Sequence, residues 1–174
     1  KEYIEKHNDA LLWAERNRRI VAGKLINYLG FSTDIQQIID CKHNFLEQKS
    51  DSIIHRKGAV SGEVGAVVIP GSRGTLTYIV APTDKVNQSA YSLSHGAGRK
   101  WARSLCKSRI SDKYDRNTIR ETKLKSRIVC HDTNLLFQEA PEAYKNIDRV
   151  IASLLEFGLI RVVATLRPVL TYKG

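Results

Sequence analysis

The stretch AVVIPGSRGTLTYIV, residues 66–80, reads as two short apolar runs around a turn. Ala66–Ile69 and Leu76–Val80 are β-branched or apolar, and Pro70-Gly71-Ser72-Arg73-Gly74 between them holds the turn residues. Upstream, Ser52–Val60 reads as another strand. Further upstream, residues 3–29 read as one long helix. There Ala10, Ala14, Val21, Leu25 and Leu29 recur at helical steps, and Gly30 stops it. Downstream, Gly98–Cys106 reads as a short helix behind a glycine-rich turn. Glu142–Phe157 is the clearest helix: Pro141 sits in its first turn, and Ala143, Ile147, Val150, Ile151, Leu154 and Leu155 share one face. Gly158 ends it. Leu159–Tyr172 reads as a final strand pair or one long strand, broken at Pro168. This alternation predicts an α+β fold, mixed β-sheets flanked by helices, in a single domain over 1–174. No internal repeat or linker divides the chain.

Composition narrows the class. The chain has 174 residues, with hydrophobic content of 42% and charged content of 26%, so disorder and collagen-like repeats are excluded. No apolar run reaches the ~18 residues a membrane span needs, and no signal peptide is visible. Cys41, Cys106 and Cys130 are odd in number and widely spaced, which predicts reduced thiols in a cytoplasmic protein. A chain with no methionine that begins at Lys1 reads as a fragment or a processed product.

With 28 Lys plus Arg against 18 Asp plus Glu, the net charge is +10. Eleven of the basic residues lie between Arg99 and Arg127, opposed only by Asp112, Asp115 and Glu121. Such a stretch attracts polyanions, nucleic acid above all. A solvated helical face would have the same composition.

Two glycine loops can carry chemistry. Ser94-His95-Gly96-Ala97-Gly98-Arg99 lacks side chains where a phosphate would approach backbone N–H groups. His95 stands at its head, and neutral imidazole is a good nucleophile toward phosphorus. Pro70–Thr75 adds the hydroxyls of Ser72 and Thr75, with Thr77 beyond, and the guanidinium of Arg73. An ordinary glycine-rich turn and a tight hairpin turn remain open for these two loops. Cys41-x-His43 hints at a metal pair, but two ligands do not close a site. Cys130-His131-Asp132 looks metal-like, yet adjacent strand residues face opposite ways, so it reads as structural.

In chain order His43-Asn44, His55-Arg56-Lys57-Gly58-Ala59, the Pro70–Gly74 loop, the Ser94–Arg99 loop, Glu139-Ala140-Pro141-Glu142-Ala143-Tyr144-Lys145 and the terminal Lys173-Gly174 resemble the RtcB RNA ligases. The basic stretch is similar to the RtcB paralogues found beside release factor H. The resemblance implies joining of RNA 3′-phosphate or 2′,3′-cyclic phosphate ends to 5′-hydroxyl ends, with GTP as co-substrate and Mn²⁺, two ions per site. It implies that His95 is the guanylated nucleophile and His43 a metal ligand with Asn44 beside the nucleotide. Pro70, Gly71, Ser72, Arg73, Thr77, Gly96, Ala97 and Gly98 would be nucleotide-contacting loops. Lys173 would read guanine with Tyr144 nearby, and Arg99 and Arg103 would lie near RNA phosphate. Lys107, Arg109 and Lys113 extend that basic face.

The chain departs from the family pattern in places. Arg73 stands where Met is usual, and Thr77 and Ala102 where Ser is common. The family's Asp and Cys metal ligands and its G-N-H-F-type segment have no counterpart. The chain is therefore expected to be the C-terminal half of a ligase, with the N-terminal half as its partner. The alternative is a truncated, non-catalytic paralogue that binds nucleotide or RNA. No membrane partner is expected.

Overall fold

The computed structural model describes residues 2–31 and 36–173. They fall into two compact units that divide after Lys57.

In the first unit α1 spans Glu2–Tyr28, close to the expected helix, with Glu2 and Glu5 at the positive end of its dipole. None of its residues is buried, and Val21, Leu25 and Leu29 are each more than half exposed. The helical period is present, but the stripe stays open towards its C-terminal end. β1 (Asn44–Gln48) and β2 (Ile53–Lys57) make an antiparallel hairpin with Phe45 opposite Arg56. Arg56 is buried there, ion-paired with Glu47, its guanidinium 5.2 Å from the Phe45 ring centroid.

The second unit runs β3 (Ala59–Ser61), β4 (Val67–Ile69), β5 (Thr77–Pro82), β6 (Ser92–Ser94), α2 (Arg103–Ile110), β7 (Arg127–Cys130), α3 (Thr133–Gln138), α4 (Ile147–Glu156), β8 (Ile160–Leu166) and β9 (Leu170–Lys173). The strands form three small sheets. β3 pairs antiparallel with β6, β4-β5-β8 is antiparallel throughout, and β7 and β9 run parallel. The fold is α+β, as the alternation predicts.

Val67 and Ile69 of β4, Val80 of β5, Ile160 of β8 and Ile147 and Ile151 of α4 are all buried. Tyr78 of β5 donates to Asp148 of α4 at 2.7 Å, tying the helix to the sheet. A second cluster gathers Ile110, Ile119, Ile128, Cys130, Leu136, Phe137 and Ala140, with Trp101, Tyr114 and Leu135 packed on it. Each large apolar side chain there contributes roughly 1.5–3 kcal/mol. The basic stretch is thus two-sided: its isoleucines are core and its lysines are exposed.

Three expected elements differ. Ser52–Val60 is two strands, because Gly58 takes φ +65 and ends β2. The helix expected over Gly98–Cys106 begins only at Arg103. Arg99 instead bridges Tyr144, and Lys100 donates its backbone N–H to Ala143 O, which holds the chain extended past the glycines. The helix expected over Glu142–Phe157 is interrupted for the same reason. Pro141–Ala143 is one 3₁₀ turn, and Tyr144 is extended at φ −108, ψ 154 to meet Arg99. Asn146 then starts a new helix, accepting from the N–H groups of Asp148 and Arg149. The final segment breaks around Pro168 as expected, but β8 and β9 pair with different strands rather than with each other.

Candidate functional site

Two loops of the second unit meet at one cleft. The Pro70–Gly74 loop joins β4 to β5, and the His95–Gly98 loop follows β6. A Cβ on Gly71 would lie 2.0 Å from Leu76 O, so only glycine admits this turn. Threonines knit the loop: Gly71 N–H donates to Thr77 Oγ1 (3.0 Å) and Ser72 N–H to Thr75 Oγ1 (2.7 Å). Because the Thr77 hydroxyl accepts that bond, its own proton stays available to donate. Gly96 has φ +150 and passes so close to Pro70 O that a Cβ would sit 3.3 Å from it. Gly98 has φ +71, a conformation costly for any side chain. His95 N–H donates to Gly58 O at 3.1 Å, and Ser94 Oγ donates to Gly96 O at 2.6 Å, anchoring both sides of the histidine turn.

The cleft measures about 590 Å³. Its lining includes His95, Pro70, Gly71, Ser72, Arg73, Thr77, Gly96, Ala97, Gly98, Tyr144 and Lys173. Every second-unit residue expected to meet nucleotide, from Pro70 to Lys173, therefore borders one space. His43 and Asn44 belong to the first unit, where Asn44 opens β1 and pairs with Lys57. Cys41 and His43 lie in the irregular segment before that strand. Cys130-His131-Asp132 is structural: the Cys130 thiol contacts Asp132 O at 3.2 Å, and Asp132 caps α3. Gly174 lies outside the described residues.

Glu139 is the residue the sequence reading passed over. It lines the cleft at the end of α3, its side chain only 11% exposed. One carboxylate oxygen lies 3.2 Å from Arg99 and 3.7 Å from Arg103; the other accepts from Tyr144 at 2.5 Å and lies 3.6 Å from Lys173. Burial alone would raise Glu139, but the Tyr144 hydroxyl and the charges of Lys173, Arg99 and Arg103 together hold it below the usual carboxylate range. Burial and the same carboxylate push the Tyr144 phenol up to about 12. Glu139 stands inside the quoted Glu-Ala-Pro-Glu-Ala-Tyr-Lys segment, so its position was visible. That Arg99, forty residues upstream, and Lys173, thirty-four downstream, meet it was not.

Arg99 spends its donors inside the protein: Nε on Trp101 O, Nη1 on Glu139 and Tyr144, and Nη2 on Cys106 Sγ and Gln138 O. Arg73 turns inward too. Its Nη2 donates to Ile119 O at 2.8 Å, and its own carbonyl accepts from Ser126 Oγ at 2.8 Å. Burial lowers the Arg73 guanidinium from its usual range, against the opposing pull of the Glu142 charge. Arg103, Lys107, Arg109 and Lys113 are exposed on or just after α2, with Arg109 stacked 5.4 Å from the Trp101 ring centroid.

Among the described residues no three His, Cys, Asp or Glu side chains converge as a metal site requires. The described residues alone therefore do not supply the full ligand set of a Mn²⁺ centre. Among the described residues no helix is long and apolar enough to cross a membrane.

A cleft ringed by cations and hydroxyls, with a histidine on a glycine turn, has the chemistry to take a phosphorylated ligand. A family model described as tRNA-splicing ligase RtcB matches residues 1–174. RNA-splicing ligase RtcB2 of Escherichia coli ATCC 25922 is 41% identical over 176 residues, covering 99% of this chain and 46% of that protein. RNA-splicing ligase RtcB of Escherichia coli K12 is 31% identical over 191 residues, covering 99% and 45%. tRNA-splicing ligase RtcB of Archaeoglobus fulgidus is 32% identical over 190 residues, covering 91% and 39%. The chain belongs to the RtcB family. It spans less than half the length of these three relatives.

Proposed function

We propose that this chain forms the guanylating part of an RNA ligase, which uses GTP and Mn²⁺ to join 3′-phosphate or 2′,3′-cyclic phosphate ends to 5′-hydroxyl ends. The convergence of His95 with both glycine loops, Tyr144 and Lys173 on one cleft carries this reading. Neutral His95 attacks the α-phosphorus of GTP. A nitrogen–phosphorus bond forms, the bond to the bridging α–β oxygen breaks, and pyrophosphate leaves. GMP then passes to the RNA 3′-phosphate, and the 5′-hydroxyl displaces it. Hydroxyls of Ser72 and Thr77 orient the phosphates, and Lys173 donates to the guanine acceptors O6 and N7. Mn²⁺ would offset phosphate charge. His43 would be one of its ligands, and upstream residues of the complete ligase would supply the rest.

The test is incubation of the ligase, complete with its upstream half, with GTP labelled at the α-phosphate and Mn²⁺. The expected product is an acid-labile, alkali-stable adduct mapped to His95 by mass spectrometry and absent from His95→Ala. An adduct on a lysine or another histidine refutes the assignment. Nucleotide binding with no adduct favours the non-catalytic paralogue.

A further inference from the structure

We propose that Glu139, at the cleft wall, is a positioning residue that sorts the four side chains around its carboxylate into two locked groups, Arg99 and Tyr144, and two poised cations, Arg103 and Lys173. This rests on the ligase reading for the identity of the ligand.

The topology explains the meeting. β7 lies beside β9 in parallel, with Cys130 in register with Lys173. The chain leaves β7, turns at the Asp132 cap and runs through the six residues of α3, about 9 Å of helix, to Glu139. The Arg99–Tyr144 bridge brings both of those side chains to the same carboxylate.

The distances separate the four partners. Tyr144 donates to Glu139 at 2.5 Å and accepts from Arg99 at 2.9 Å, and the Arg99 guanidinium lies 4.9 Å from the Tyr144 ring centroid. These two are fixed by hydrogen bonds on several sides. Arg103 at 3.7 Å and Lys173 at 3.6 Å exceed hydrogen-bond length and remain 69% and 41% exposed. Charge alone holds them beside Glu139, so a ligand can draw them off without breaking a hydrogen bond to that carboxylate. Without the carboxylate, the half-exposed Lys173 side chain gains rotamer freedom, and ordering it lowers ligand affinity.

The experiment compares wild type, Glu139→Gln, Lys173→Ala and the double variant in the ligase with its upstream half. Glutamine keeps one oxygen for the Tyr144 hydroxyl, removes the charge and gives up the acceptor that faces Arg99. Guanylation is followed against GTP and ATP concentration. Glu139→Gln should raise KM for GTP about fivefold, the upper end for a half-exposed pair, with the loss in KM rather than in kcat. The preference for GTP over ATP should fall. In the double variant KM should match Lys173→Ala within twofold, because the carboxylate acts through that lysine. Independent multiplication of the two losses, or a wild-type KM in Glu139→Gln, overturns the proposal.

Two further measurements keep the outcomes distinct. If Glu139→Gln does not fold, Glu139→Asp retains the charge but retracts it, and should raise KM in the same direction by less. The ¹³C-methylated Lys173 signal should move in Glu139→Gln and stay in place in Glu142→Gln. A moved signal in a protein that forms no His95 adduct refutes the ligase reading and supports the positioning role. An unmoved signal beside a normal adduct refutes the positioning role alone.

Discussion

Replacing Gly71 by alanine separates a catalytic loop from a mere turn. The added Cβ would stand 2.0 Å from Leu76 O, 2.6 Å from Thr75 Oγ1 and 2.8 Å from Leu76 C. The first falls 1.4 Å short of the 3.4 Å at which ordinary contact begins. Two of these three atoms are backbone, so no side-chain rotation relieves the clash and the loop itself must open. Opening breaks Gly71 N–H to Thr77 Oγ1, Ser72 N–H to Thr75 Oγ1 and Thr75 N–H to Ser72 O. At about 1 kcal/mol net for each, the loss is roughly 2–3 kcal/mol, in the range measured for overpacked interiors. Alanine recovers about 0.4–1 kcal/mol of that by restricting the unfolded chain. Urea unfolding should therefore show a lower midpoint at unchanged m-value. Guanylation should fall by far more than the unfolded fraction explains, because the Ser72 hydroxyl moves with the loop while Thr77 stays on β5, so the two no longer face one phosphate together. Gly98→Ala is the control: nothing lies within 4 Å of its Cβ, so only the φ of +71 is strained, at about 1–2 kcal/mol. A Gly71→Ala protein as stable and as active as wild type would refute the geometry of the loop.

Changing Lys107, Arg109 and Lys113 to Gln should flatten the logarithmic salt dependence of RNA affinity by about two units, similarly across sequences, in filter binding from low to high salt; an unchanged slope places the RNA elsewhere. Glu139 is held below its ordinary value of 4.5 in the folded state, so the unfolded chain binds its proton first as pH falls. Its stabilising effect is present above about pH 4.5 and lost as pH drops through the folded value. Wild type should thus lose stability relative to Glu139→Gln only on the acid side in pH-dependent urea titrations; a constant difference down to strongly acid pH would contradict the ion cluster.

Local chemistry made much of the molecule legible in the chain. The period of α1, the β-rich runs around Pro70–Gly74 and the stop at Gly158 depend on neighbours within a few residues, so pattern alone located them. The ordered motifs likewise marked His95, Tyr144 and Lys173 before any geometry was known. What pattern misplaced was decided at long range. The helices expected at Gly98 and Glu142 gave way because Arg99 and Tyr144 bridge each other across forty-five residues, and a residue in an extended bridge cannot continue a helix. The isoleucines of the basic stretch became core once α2, α3 and β7 closed on them, which charge counting along the chain could not register. Glu139 follows the same logic. A carboxylate at the end of a short helix carries no local sign of its partners, and only the parallel pairing of β7 with β9 brings Lys173 to it while the Arg99–Tyr144 bridge brings those two. Spacing in the chain sets which residues can share a helix face or a strand; the fold alone sets which charges become neighbours, because Coulomb attraction depends on distance in space.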